Sequence, residues 1–145
     1  MSSIQFNSVN QTFNLQERRR LKSFIPSIFT HYNLELETLS YIFCSDDYLL
    51  SINNQFLQHD YYTDIITFDL SVQKPFIIGE IYISIDRIKD NAKSLNLSFK
   101  QELHRVIFHG ALHLCGHKDK RKADKETMTR AEDHYLQLYF NNAVL

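Results

Sequence analysis

Glycine and proline are scarce in this chain, three and two of 145 residues. That argues against a loop-rich or low-complexity polypeptide and marks each glycine as a position with a backbone task. Charge of one sign is missing too: with neutral histidines the net charge is −1. No global field therefore advertises a nucleic-acid partner, and any such contact falls to local patches. Two basic patches stand out, RRRLK at 18–22 and KDKRKADK at 118–125; either also reads as an ordinary solvated helix face. The two cysteines, Cys44 and Cys115, are far apart and unpatterned, which excludes a disulfide framework. No apolar run approaches the ~20 residues that span a bilayer. The opening MSSIQFNSVNQTF has neither the basic start nor the apolar run of a signal peptide. A reducing, cytoplasmic location is the expectation.

What is present is ordinary for a globular protein: 43% hydrophobic and 23% charged residues, with 11 Phe and 8 Tyr. The length suits one domain, 1–145, with one substantial core, and neither a repeat nor a linker interrupts it. Residues 15–32 place Leu21, Phe24, Ile25, Ile28 and Phe29 on one helical stripe, with Pro26 inside it as a late start or a kink. Strands are expected at 38–45, 63–70 and 76–86, the last alternating through Ile81, Ile83 and Ile85. Helices are expected at 45–57 behind a Ser45 cap, at 86–95, and from a Ser98–Gln101 capping box to Gly116. A last helix spans 122–140 with Met128, Ala131, Tyr135 and Leu138 inward. The implied architecture is α+β: a compact single domain with a small mixed sheet of about four strands flanked by helices.

Residues 109–120, HGALHLCGHKDK, concentrate side chains of metal-ligand type. Positions four apart share a helix face, so His109 and His113 can aim at one ion. A third ligand must come from beyond Gly116, where the chain can turn back, and His117 and Asp119 are the candidates. The frame His-x3-His-x2-Gly-x2-Asp reproduces the ligand spacing of the long zincin signature with Asp in its last place, which favours Asp119. Cys115, one position before the cap, reads as packing. Zincin proteases carry their general-base glutamate directly after the first histidine. Here that residue is Gly110, which argues against a peptidase. Two His and one Asp leave a coordination position for water, the pattern of a catalytic zinc site, and the metal-bound water is the only catalytic group that spacing assigns.

These residues resemble a known family. HGALHLCGHKD resembles the H-G-x-L-H-L-x-G-[YH]-[DK]-[HD] signature of the YbeY family, single-metal hydrolases implicated in rRNA maturation as endoribonucleases. In the family's order, TDIITFDL resembles its T-D-V-L-S-F strand and GEIYIS its G-D-I-x-I-S strand. ELHRVIFHG resembles the approach to its histidine helix, and MTRAEDHYL its last helix, so the likeness covers about 38–140. It implies one divalent ion, Zn2+ the expected one, on His109, His113 and Asp119, with the metal site on a helix and the following turn. It further implies hydrolysis of RNA phosphodiesters in rRNA maturation and ribosome quality control, with rRNA precursors and the small ribosomal subunit as partners. His117 stands where the family commonly has Tyr and reads as cleft wall, with a fallback role as ligand.

Two departures accompany the likeness. Many members carry an arginine seven residues before the aspartate of T-D-V-L-S-F; here the position is Leu57, which cannot supply a guanidinium fork to phosphate. His59, Arg105 and Lys118 are the candidates to compensate. Glu80 stands where the family often has Asp. The missing arginine keeps a second reading in view, a metal-stabilised rRNA or ribosome-assembly binding module without strong catalysis; a third is another zinc hydrolase.

Overall fold

A computed structural model describes residues 2–141, so the ends of the 1–145 span lie outside the described residues. The order is β1 (Ser3–Val9), α1 (Arg18–His31), β2 (Glu35–Cys44), α2 (Asp46–Leu57), β3 (Ile65–Asp69), β4 (Phe76–Ser84), α3 (Ile85–Leu95), α4 (Phe99–Leu114) and α5 (Lys122–Asn141). The strands form one mixed sheet in the order β1-β2-β4-β3. β1 and β4 pair parallel to β2, and β3 closes the other edge antiparallel to β4. This is the expected α+β architecture with four strands.

Period-two alternation sends the residues of each strand to opposite faces. Ile81 and Ile83 enter the main core, whereas Tyr82 packs with Cys44, Leu49, Ile52 and Ile66 in a smaller cluster beneath α2. On the main-core face lies α4, with Leu103, Val106, Ile107, Phe108, Ala111, Leu112 and Leu114 all buried. A helix apolar on so many sides must be covered on several. The sheet, α1, α3 and α5 all pack against it, and Tyr41 donates a 2.8 Å hydrogen bond to the Ile107 carbonyl. α4 is thereby the most enclosed helix of the domain, a rigid platform for whatever its last turn carries.

The structure corrects the sequence reading in two places. β1 was not expected: Ile4 and Phe6 are its only buried side chains, too few for an alternation signal, and pairing with β2 supplies the rest. α1 begins at Arg18 and runs through Pro26, because the stripe Leu21, Ile25, Ile28, Phe29 is fully buried and that burial outweighs one lost backbone bond. No helix among the described residues is long and apolar enough to cross a membrane.

Candidate metal centre

The site begins with how α4 ends. Cys115 caps the helix, Gly116 takes φ +106°, its N–H bonds the His113 carbonyl and the His117 N–H bonds Leu112. This is a Schellman turn, and the positive φ is why glycine stands there. The chain reverses and brings Asp119 Oδ2 to 3.2 Å from His109 Nε2. Gly110 has a separate reason: a Cβ there would meet Ile81 Cδ1 at 2.7 Å and Ile65 Cδ1 at 3.1 Å. The helix rests on the sheet at this point, which leaves no room for the glutamate of a zincin.

His109 and His113 lie one turn apart with rings 5° from parallel and centroids 6.5 Å apart. Both are held through Nδ1. His109 Nδ1 meets Glu132 Oε2 at 2.7 Å, and His113 Nδ1 meets the His117 carbonyl at 3.0 Å. A carboxylate and a carbonyl only accept, so each ring carries its proton on Nδ1 and, when neutral, offers an Nε2 lone pair. Glu132, itself buried, is fixed in turn by Arg105, whose guanidinium also binds Asp133. Ligands at ~2.0–2.1 Å from a tetrahedral zinc lie about 3.3 Å from one another, close to the His109–Asp119 separation. His113 lines the same cleft. Among the described residues no three His, Cys, Asp or Glu side chains are drawn together tightly enough to cage an ion.

Carboxylates dominate the local field. Burial works against a charged His109 more than any other single influence, yet Glu132, Asp119 and Asp64 together raise its pKa. A cation-seeking field of this kind favours a metal ion as it favours a proton. Behind His109, Asp64 and Glu102 are pushed up, first by burial, and Glu102 also by Asp64.

The cleft holds about 320 Å³. His109, His113 and Asp119 line it together with Leu57, His59, Tyr61, Thr63 and Lys120. Of the three groups considered as substitutes for the family arginine, His59 lines the cleft. Arg105 is committed to its two carboxylates, and Lys118 faces an adjoining hollow with Arg121. His117 turns its ring away: Nε2 lies 2.8 Å from the Tyr32 hydroxyl, edge-on to that ring. Cys115 packs against the core, and Glu80 accepts from the Tyr82 hydroxyl on β4. Glu132 was missed in the sequence, although it falls on the buried stripe Met128, Glu132, Tyr135, Tyr139; a carboxylate on an apolar stripe is the signal that could have found it.

The sequence model of the family described as Endoribonuclease YbeY matches residues 4–139. This chain belongs to the YbeY family. A protein of Cytophaga hutchinsonii named Endoribonuclease YbeY is 48% identical over 136 residues, 94% of this chain and 95% of its own length. Its Porphyromonas gingivalis namesake is 43% identical, covering 94% of this chain and 89% of the relative. A solution structure of a Thermotoga maritima protein superposes with a TM-score of 0.66 at 25% identity, over 95% of this chain and 89% of the other. The YbeY match reaches residue 4, so it takes in β1 and α1, which the motifs alone left out.

Proposed function

We propose that this chain is a metal-dependent endoribonuclease that hydrolyses RNA phosphodiester bonds in the cleft beside α4. One divalent ion, Zn2+, is held by His109, His113 and Asp119. The substrates are rRNA precursors, processed in maturation and quality control in the cytoplasm, with the small ribosomal subunit as partner. The observation that carries this reading is the tautomer imposed on both histidines, which directs Nε2 lone pairs toward Asp119 and the cleft. The relatives' name, Endoribonuclease YbeY, supports the reaction class.

When bound, such an ion supplies an acidified water and polarises a phosphoryl oxygen. The chain's own residues do the rest. Glu132 fixes the His109 ring and adds negative charge behind it, and the His117 carbonyl does the first of these for His113. Lys120, which lines the cleft, offsets phosphate charge. Gly110 excludes the protease base, as both its identity and its packing require.

One observation favours the binding-module reading: Leu57 lines the cleft, and Lys120 is the only lysine or arginine among its described lining residues. The same experiment separates the two. Elemental analysis and RNA-cleavage assays on the purified protein and on His113→Ala are expected to show metal lost and cleavage reduced at least ~100-fold. His113 is exposed, so the variant should fold. Equal cleavage by both proteins would sink the enzymatic reading. Metal lost with stability lost, and no cleavage by either, would install the binding module.

A further inference from the structure

We propose that His59 and Tyr61 form a shelf on which an unpaired nucleobase of the RNA stacks, beside the phosphodiester that the metal centre attacks. The proposal rests on RNA being the substrate and names the residues that select its single-stranded form.

The shelf is built by the seven-residue connection between α2 and β3, residues 58–64. At its start Gln58 turns the chain with φ +56°, and the His59 N–H bonds the Asn53 carbonyl at 3.2 Å. The Asn53 side chain, only 2% exposed, donates to the Tyr61 carbonyl at 2.9 Å. Both ends of the His59–Tyr61 segment are thus tied to one buried residue of α2. The two rings lie 19° from parallel with centroids 5.0 Å apart, and the Tyr61 hydroxyl pairs with His59 Nδ1 at 2.9 Å. This fixes an aromatic pair, yet Tyr61 stays 56% exposed and its neighbour Leu57 41% exposed. A rigid, uncovered aromatic surface inside a cleft is a recognition feature rather than core packing.

Charge complementarity names the occupant. The cleft that the shelf lines also has Lys120 in its lining, and the adjoining hollow shares Lys120 and adds Lys118 and Arg121, the last paired with Asp124 at 3.1 Å. Exposed aromatic rings and lysines lining one cleft match single-stranded RNA, with a base on the rings and phosphates at the lysines. Bases within a duplex have both faces stacked, so the shelf accepts loops, bulges and ends. Leu57 then has a positive role. Where a guanidinium would draw phosphate to this wall, leucine leaves it to the base and sugar, and the phosphate is left to the metal side and Lys120.

The test measures binding as well as cleavage. Fluorescence anisotropy would follow a labelled 12-nucleotide single-stranded oligoribonucleotide, its abasic counterpart and a duplex of the same length, with wild type, Tyr61→Ala and Tyr61→Phe. Expected results are at least about tenfold weaker binding of the single strand by Tyr61→Ala, from the usual worth of one stacked base, and about twofold or less for Tyr61→Phe. The abasic strand should bind weakly and equally to wild type and Tyr61→Ala, and cleavage by Tyr61→Ala should show its loss in KM more than in kcat. Wild-type affinity of Tyr61→Ala for the single strand overturns the shelf, and does so even if His113→Ala still abolishes cleavage. Tyr61-dependent binding by a protein that never cleaves upholds the shelf while sinking the enzymatic reading.

Discussion

His109 and His113 are the same residue one helical turn apart, and the fold treats them differently. His109 is half-buried and leans on a charged network, Glu132 backed by Arg105. His113 is exposed and leans on a neutral backbone carbonyl from the turn that follows it. Both supports impose the same tautomer, but only the first adds negative charge, and only the second is independent of side-chain identity. A two-histidine site can thus be anchored at one end by tertiary packing and at the other by the geometry of a helix cap.

Removing either ring is the coarsest way to break the comparison. His109→Ala, like His113→Ala, is expected to lower metal retention and RNA cleavage by at least ~100-fold, read by elemental analysis and gel assay. Glu132→Gln sharpens it, because the amide oxygen still accepts from Nδ1 while the charge is gone. A loss of about 10–100-fold in metal affinity is expected, the usual cost of damaging a ligand's supporting partner; an unchanged affinity would reduce Glu132 to a packing residue. Gly110→Ala presses a methyl onto Ile81 beneath the half-buried end. It should cost ~1–3 kcal/mol in urea unfolding, with cleavage falling more than stability alone requires. His117→Ala is the mirror of Glu132→Gln and should be mild, about threefold or less in metal affinity, because its carbonyl stays in place.

A third histidine of α4 extends the series to full enclosure. His104 is buried, with Nδ1 at 2.7 Å from the Lys100 carbonyl and Nε2 without a partner among the described residues. Burial above all lowers its pKa from 6.5. The unfolded chain therefore takes up this proton first as pH falls. The stability from burying the neutral ring is complete above about pH 6.5 and is lost as pH drops toward the lower folded value. Urea midpoints at pH 7.5 and 5.5 should show that decline, and His104→Leu should flatten part of it.

What was legible in the sequence was local. The capping box at Ser98, the glycine at the end of α4 and the i, i+4 histidines all belong to one helix and its turn, and each stands where the spacing put it. Three features were not legible for one common reason: their meaning depends on what docks against them. Glu132 becomes the support of His109 only when α5 packs on α4. β1 becomes a strand only beside β2. Leu57 read as a missing arginine, and only the folded connection after α2 brings Tyr61 into the same cleft.

Whether His109, His113 and Asp119 hold one catalytic divalent ion is decided by a Zn2+ titration of chelator-stripped protein. Wild type should take up one ion per chain and regain RNA cleavage in step with occupancy, while Asp119→Ala binds at least ~10-fold more weakly. Cleavage that persists in the stripped protein, or Zn2+ uptake by Asp119→Ala indistinguishable from wild type, would rule out this metal centre.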